Sequence, residues 1–512
     1  MRLSTNQMFN ANVNGYQKGY SALVKTQEQI TSGNRIQTPA DDPIGSARLL
    51  QLEQQSALLS QYKSNLTDAT NSLTQEESIL SSMINISQRA RELAGHAGNG
   101  AYNDQNRSAI AAELKQIEAE LFGLMNSKNA SGEYWFSGSQ SGIQPYVLNS
   151  DGTYSYQGDQ GQQNLQVATG LQISINDSGY SAFETARNVS RTASSLDTVG
   201  ASGQRMYLSQ GTVSNQRDFD STFRADAPYK LEISANTDGS IGYTVTAAGV
   251  AVDSGSYDPN QENPKITFRG VEFNLDTMLK TGESDFAALL DGHSFDLGMA
   301  PEKFAVSSNS AAQISASTVV DVDAYTTGFP DGGVTLKFDG TGYQAFAQPS
   351  NVLIPSAFDG ATNTLTVAGV EFSFSGTPAA DDLFKVTADS QENQNLLNTI
   401  ANLRAALEQP ADGIEGGGLR IREAIAVALG NIDSGMIQIE STQAHIGARL
   451  NSIDTLLVEN ESLSIMNDST QSAIRDTDQF EAASRLMLQQ TKLEAAQAAF
   501  VRVSQLSLFD RL

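Results

Sequence analysis

The sequence predicts an α+β multidomain fold in which N- and C-terminal segments pair into a long α-helical coiled coil or bundle, with a large β-rich insert in the middle of the chain. Three observations predict it. Apolar residues recur at seven-residue spacing near both ends. Between Gln144 and about Ser390 the texture changes to short alternating runs punctuated by Gly, Asp, Asn and Pro. The helical runs are rich in Gln, Asn, Ser and Thr, so their apolar residues form narrow seams rather than broad stripes.

The first helix is marked by Phe9, Val13, Tyr16, Tyr20, Leu23 and Ile30, in alternating steps of four and three, with Gln27 in the polar slot. That is the a/d spacing of a coiled-coil seam. Gly33 breaks the run, and Pro39 holds the residue before it extended. Asp42 ahead of Pro43 reads as an N-cap with proline at the first helical position, where its missing N–H costs nothing. From there Leu52, Leu59, Leu66, Leu73 and Leu80 stand seven apart, with Tyr62, Ala69 and Met83 on companion positions. Helix is expected to about Leu93, a length of roughly 75 Å at 1.5 Å per residue, ended by Gly95, Gly98 and Gly100. Ile110, Leu114, Ile117, Leu121 and Leu124 mark a third helix.

The C-terminal end mirrors this. After the flexible turn expected at Gly416-Gly417-Gly418, Ile425, Ile432, Ile439, Ile446 and Ile453 recur every seven residues, accompanied by Leu429, Met436, Leu450 and Leu457. The seam then turns polar at Asn460 and Asn467 before Ile474, a change expected to separate two packing environments. Leu486, Leu493 and Phe500, with Ala482, Ala496 and Val503, predict a last amphipathic helix running into Leu508-Phe509-Asp510-Arg511-Leu512.

Within the insert, Tyr229–Ile233 and Gly333–Phe338 alternate as strands. Ile266-Thr267-Phe268-Arg269-Gly270-Val271-Glu272-Phe273 is echoed by Leu365-Thr366-Val367-Ala368-Gly369-Val370-Glu371-Phe372. Each reads as a hairpin turning at its glycine, so the insert is expected to hold two related β units.

Composition narrows the function. The 58 acidic against 32 basic residues leave a formal charge of −26, which repels phosphate backbones and anionic lipids and argues against nucleic-acid binding. No segment has the length and apolarity for membrane insertion, and Met1–Met8 lacks the apolar core of a cleavable signal, so export would use another route. With no cysteine, disulfides, thiolate metal sites and cysteine nucleophiles are excluded. The three histidines, His96, His293 and His445, fall in no metal-ligand spacing. Asp321-Val322-Asp323 opens like a calcium loop, but Tyr325 takes a ligand slot, Thr326 replaces the turn glycine and no glutamate closes it. Gly138-Ser139-Gln140-Ser141-Gly142 has glutamine where a nucleophile elbow needs serine. Asp41 and Asp42 are better explained by helix capping than as an acid–base pair. The reading is therefore non-enzymatic, with no catalytic, cofactor or metal site. Narrow seams bury little area against an ordering cost of about 1–2 kcal/mol per residue, so the terminal helices are expected to fold as subunits assemble. The same spacing also serves a self-contained antiparallel bundle.

Ser32-Gly33-Asn34-Arg35-Ile36 followed by Pro39-Ala40-Asp41-Asp42-Pro43-Ile44-Gly45-Ser46-Ala47 resembles the N-terminal signature of the bacterial flagellin family. Three stretches are similar to the branch of that family found where hook meets filament: Met1–Phe9, then Gly132-Glu133-Tyr134-Trp135-Phe136-Ser137-Gly138 with Gln144-Pro145-Tyr146, and Leu506-Ser507-Leu508-Phe509-Asp510. Arg35, Ile36, Asp41, Asp42, Pro43, Tyr134, Phe136 and Gly138 carry the signature. The resemblance implies an extracellular flagellar subunit, exported unfolded by the type III apparatus, that forms a junction ring. Implied partners are copies of itself, hook-associated protein 1, flagellin, and an export chaperone on the C-terminal helix. The assembly surface would comprise Phe9, Val13, Tyr16, Tyr20, Leu23 and Ile30 with Leu486, Leu493, Phe500, Val503, Leu508 and Phe509. Residues 1–42 with 477–512 would form the coiled-coil assembly domain, and 43–175 with 391–476 a helical middle domain with a small β portion. Residues 176–390 would be the solvent-facing insert, in two units of about 176–300 and 301–390. A filament flagellin, or a binding module displayed on a helical stalk, is the alternative.

Overall fold

The computed structural model describes residues 5–149, 152–236, 240–257, 264–278, 286–300, 303–308, 312–330, 332–348, 350–389 and 391–509. Helices occupy both ends of the chain and strands its middle, as the seams and the alternating runs predict. The chain forms two compact units, residues 1–74 with 164–175 and 446–512, and residues 75–163 with 176–445. This division cuts through the expected helical middle domain, because the two longest helices run through both units.

The long helices of the N-terminal region are α1 (Thr5–Ser32), α2 (Pro43–Ala97) and α3 (Asp104–Met125). Helix α2 continues beyond its expected end near Leu93 and carries Gly95 inside its last turn. A helical glycine costs about 0.5–1 kcal/mol, which burial of Leu93, Ala94 and Ala97 offsets. Toward the C-terminus lie α4 (Leu396–Glu408), α5 (Gly417–Arg475) and α6 (Gln479–Phe509). Gly417 and Gly418 thus open α5 rather than precede it, and only Gly416, at φ 70°, makes the turn.

In the first unit, the seam between α2 and α5 is apolar at Leu59, Leu66, Ala69, Leu73, Ile446 and Ile453, all buried. Beyond Ile453 its chemistry changes. Asn460 Nδ2 donates to the Leu59 carbonyl at 3.1 Å, Asn467 Nδ2 donates to the Leu52 carbonyl at 3.0 Å, and Gln471 Nε2 donates to Asn467 Oδ1 at 2.7 Å. The polar seam therefore carries two interhelical bonds to the α2 backbone, with Gln471 bonded to Asn467 along α5 itself. Buried asparagines fix the register of a helix pair at some cost in stability.

In the second unit, α3 packs on α4, with Glu118 buried between Tyr154 Oη at 2.7 Å and Arg404 Nε at 2.7 Å. Strands β1 (Tyr146–Leu148) and β2 (Tyr154–Tyr156) pair antiparallel. A further hairpin, β3 (Asn164–Ala168) and β4 (Leu171–Ser174), belongs to the first unit. There it ties α2 to α5: Asn65 Nδ2 donates to the Gln166 carbonyl and Arg449 Nη1 to the Ser174 carbonyl.

The insert follows as two β modules. The first runs through β5 (Thr192–Thr198), β6 (Met206–Leu208), β7 (Thr212–Val213), a helical segment over 216–226, β8 (Tyr229–Ala235), β9 (Ile241–Ala247), β10 (Val250–Tyr257), β11 (Lys265–Phe268), β12 (Val271–Thr277), a short helix Phe286–Leu290 and β13 (Ser294–Met299). Its sheets have the orders β10-β9-β8-β13-β5 and β11-β12-β6, with β7 also pairing β12. The second runs through β14 (Lys303–Ser308), β15 (Gln313–Val319), a helix Val322–Gly328, β16 (Val334–Phe338), β17 (Tyr343–Ala347), β18 (Leu353–Ile354), β19 (Ser356–Asp359), β20 (Thr364–Val367), β21 (Val370–Ser375) and β22 (Leu383–Asp389). Its sheets have the orders β14-β22-β16-β17-β18 and β15-β21-β20-β19. In each module both sheets contribute to one apolar core.

Candidate assembly interface

The two ends of the chain meet. Helix α1 packs along α6. Gly19 faces Leu493 across this pairing: a methyl placed there would lie 3.5 Å from Leu493 Cδ1, an ordinary van der Waals contact. Gln497 Nε2 donates to Tyr16 Oη at 3.2 Å. Of the residues expected on this surface, Val13, Tyr16, Leu23, Ile30, Leu486 and Leu493 are half-buried. Tyr20 is 54% exposed and stands outside the seam. The side chains of Phe9, Phe500, Val503, Leu508 and Phe509 lie outside the described residues.

A second set of apolar residues remains exposed in the same unit. Ile44, Leu50 and Leu58 on α2, Val458, Ile465 and Met466 on α5, and Phe480, Met487, Leu488 and Val501 on α6 all face solvent. Phe480 is 88% exposed and Ile44 84%. Sequence reasoning missed these positions because it followed the heptads, and they lie off them.

The signature residues build the turn from α1 to α2 and fasten it to the connection between α5 and α6. Asn34 bridges Asp476, the Arg35 N–H donates to the Arg475 carbonyl at 2.6 Å, and the Thr477 N–H donates to the Gly33 carbonyl at 2.8 Å. Arg35 Nη2 donates to the Ile474 carbonyl at 2.8 Å and lies 3.5 Å from Asp42 Oδ2. Asp42 caps α2 as expected, accepting from the Gly45 N–H at 2.9 Å. A Cβ at Gly45 would fall 2.5 Å from Asp42 Oδ2 and 2.8 Å from Ile36 Cδ1, so a side chain there would displace the capping carboxylate. Asp41 accepts from Lys25 Nζ and from the Thr38 and Gln37 N–H groups at 2.9 and 3.1 Å. The Lys25 ammonium first, and then the Thr38 N–H, hold its carboxyl well below the usual carboxylate range. Pro43 opens the helix. The two aspartates are thus structural.

The second signature makes a knot in the other unit. Lys128 Nζ lies 4.3 Å from the centre of the Tyr134 ring. Phe136 is fully buried, edge-on to Phe183 at 5.0 Å, and its carbonyl accepts from Tyr156 Oη at 2.9 Å and the Gly179 N–H at 2.8 Å. Gly138 has φ 79°, and a Cβ would stand 2.5 Å from the Asp159 carbonyl oxygen. Its own carbonyl accepts from Asn176 Nδ2 at 3.0 Å. Tyr146 Oη donates to Glu184 Oε1 at 2.8 Å. Burial, reinforced by the Glu184 charge, pushes that phenol well above its ordinary range.

Asp321 is also structural, capping the helix that follows by accepting from the Ala324 N–H at 3.0 Å. Among the described residues no group of three or more His, Asp or Glu side chains is placed to hold a metal, and no helix is long and apolar enough to cross a membrane.

Residues 3–141 match the family described as the bacterial flagellin N-terminal helical region. Over 185 residues the chain is 32% identical to flagellar hook-associated protein 3 of Salmonella typhimurium, an alignment that covers 36% of this chain and 57% of that protein. The protein of the same name from Escherichia coli K12 is 30% identical over 185 residues, with the same coverage of both chains. The chain thus aligns with a little over half the length of these two relatives. The crystal structure of flagellar hook associated protein-3 from Legionella pneumophila superposes with a TM-score of 0.47 and 21% identity, covering 83% of this chain and 98% of that one.

Proposed function

We propose that this chain, whose residues 3–141 match the bacterial flagellin N-terminal helical region, is a member of that family and a non-enzymatic structural subunit at the junction of flagellar hook and filament. The observation that carries the reading is the 32% identity to a hook-associated protein over 185 residues. The geometry supports a subunit that assembles. Its paired ends form a helical unit whose exposed apolar side chains spread over three helices, and such surface calls for a protein partner. Full burial is worth about 1.5–3 kcal/mol per large side chain, so even partial cover by neighbouring copies would drive association.

In this reading the chain is exported unfolded through the flagellar type III apparatus, with a chaperone holding its C-terminal helix. It then forms a ring of copies outside the cell, with hook-associated protein 1 on one side and flagellin on the other. The residues half-buried between α1 and α6 order the terminal pair, and the exposed set on α2, α5 and α6 meets the neighbours. A filament subunit is the second reading, favoured by the family description itself, which is that of flagellin. Stoichiometry separates the two: an adaptor stops at a short ring, a flagellin grows long filaments. Removal of residues 484–512 tests the role of the ends. It should abolish assembly and motility while the β modules stay folded, and a truncated protein that still restores motility would refute the reading.

A further inference from the structure

We infer that residues 303–389 are a second copy of the β module formed by residues 192–299, and that each copy is an independent folding unit. The echoed octapeptides are one line of support. The remainder comes from topology and from a contact far from them in sequence.

The strand order is the same. The larger sheet of the first module, β10-β9-β8-β13-β5, maps strand for strand onto β18-β17-β16-β22-β14 of the second. In the other sheet β11-β12-β6 maps onto β20-β21-β15. The two echoed hairpins also have one register: Ile266 faces Phe273 and Phe268 faces Val271, as Leu365 faces Phe372 and Val367 faces Val370. All eight of these side chains are buried. Both turns place two residues at positive φ, Arg269 and Gly270 at 48° and 81°, Ala368 and Gly369 at 43° and 79°. Type I′ hairpins are common, so this much could arise by convergence.

The seating of each turn is harder to reach independently. The Gly270 carbonyl accepts from the N–H groups of Ser214 and Asn215 at 2.8 and 3.1 Å; the Gly369 carbonyl accepts from those of Val320 and Asp321 at 2.8 and 3.1 Å. Asn215 and Asp321 are each the N-cap of the helical segment that follows. The next turn closes alike, the Phe219 N–H donating to the Asn215 carbonyl and the Tyr325 N–H to the Asp321 carbonyl, both at 3.0 Å. A Cβ on Gly270 would lie 2.4 Å from the Asn215 oxygen, and one on Gly369 would lie 2.2 Å from the Asp321 oxygen. An aromatic pair follows each cap: Phe219 with Phe223, ring centres 5.6 Å apart, and Tyr325 with Phe329, 5.4 Å apart. Nothing in generic hairpin chemistry requires the turn glycine to sit on a helix cap contributed from another part of the chain.

The boundaries correspond as well. Each module begins and ends on ladder partners, Thr192 with Met299 and Lys303 with Asp389. The chain therefore enters and leaves each at one point, and the apolar cores are separate clusters. The copies differ at β7, whose pairing is made in the second module by the end of β15, and at β19 and the helix Phe286–Leu290, which have no counterparts among the described residues of the other module. It follows that the second module adds surface without taking part in the fold of the first.

Native-state hydrogen exchange on the full-length protein, followed by peptide mass spectrometry in rising urea, tests this. Amides of 192–299 should converge on one unfolding isotherm and those of 303–389 on another. Gly369→Ala should speed exchange about tenfold or more within 303–389 and less than about twofold within 192–299, with Gly270→Ala giving the converse. Acceleration of both modules by either substitution would overturn the inference. If a glycine variant cannot be purified, Phe384→Ala and Phe273→Ala, which open cavities in the separate cores, carry the same comparison. A shared response to either would again overturn it.

Discussion

Leu66 stands at the centre of the α2 seam in the first unit and is fully buried. Truncation to alanine removes its transfer free energy and leaves a cavity, together about 2–5 kcal/mol. Leu66→Asp forfeits the same packing and puts a carboxyl group at a fully buried position of an apolar seam, so its cost exceeds that of the alanine variant. For a unit of this size each kcal/mol shifts the midpoint by about 2–4 °C, which puts Leu66→Ala about 4–20 °C lower and Leu66→Asp lower still. The control is Leu58→Asp, eight residues earlier on the same helix. Leu58 is 49% exposed, and its change should stay within about 0.5 kcal/mol. Thermal unfolding followed by far-UV circular dichroism on the purified monomer reads all three. An unchanged melting curve for Leu66→Asp, or equal losses for Leu58→Asp and Leu66→Asp, would mean that the seam runs along a different face of α2.

Three further outcomes follow from local geometry. Asp42→Ala removes the cap on α2 and should cost about 1 kcal/mol, with Asp42→Asn recovering most of it; urea titration of the variants checks both. Gly138→Ala forces a Cβ against the Asp159 carbonyl at a positive φ and should destabilise the second unit by at least about 1–3 kcal/mol, seen as earlier proteolysis between Tyr134 and Asp159. Tyr343 has a hydroxyl that is buried without a hydrogen-bond partner among the described residues, and burial, with Asp382 nearby, pushes its phenol up to about 12 from 10.0. The folded state therefore holds this proton more tightly than the unfolded one. The resulting stability is fully present below pH 10 and is lost as pH rises through about 12. Tyr343→Phe should be neutral or slightly stabilising at pH 7 and should gain on the wild type through that alkaline window. A constant difference across the window would show that Tyr343 ionises as freely folded as unfolded.

Much of this was legible because the seams have few ways to pack. The isoleucines from Ile425 to Ile453 and the leucines from Leu59 to Leu80 announce their helices and each other, and Asp42-Pro43 announces where α2 begins. The echo at Gly270 and Gly369 located two hairpins and pointed to two related β units around them. What local pattern could not give was contact between distant segments. Asn460 and Asn467 read as a boundary between two packing environments, but the bond each makes to a backbone carbonyl of α2 has no signature in side-chain spacing. Gly95 read as a terminator, since the burial that outweighs its helical cost depends on neighbours. The strand order of the modules and the seating of each turn on a helix cap likewise depend on tertiary pairing. The exposed set from Ile44 to Val501 falls off the heptads, so a search for periodicity passed over it.

The most direct test of the central claim is deletion of the gene in its host, with electron microscopy of the cells, assay of the medium for flagellin, and complementation. A junction subunit predicts bare hooks, unpolymerised flagellin in the medium, and filaments restored by the intact gene. Normal filaments on the deletion strain would contradict it.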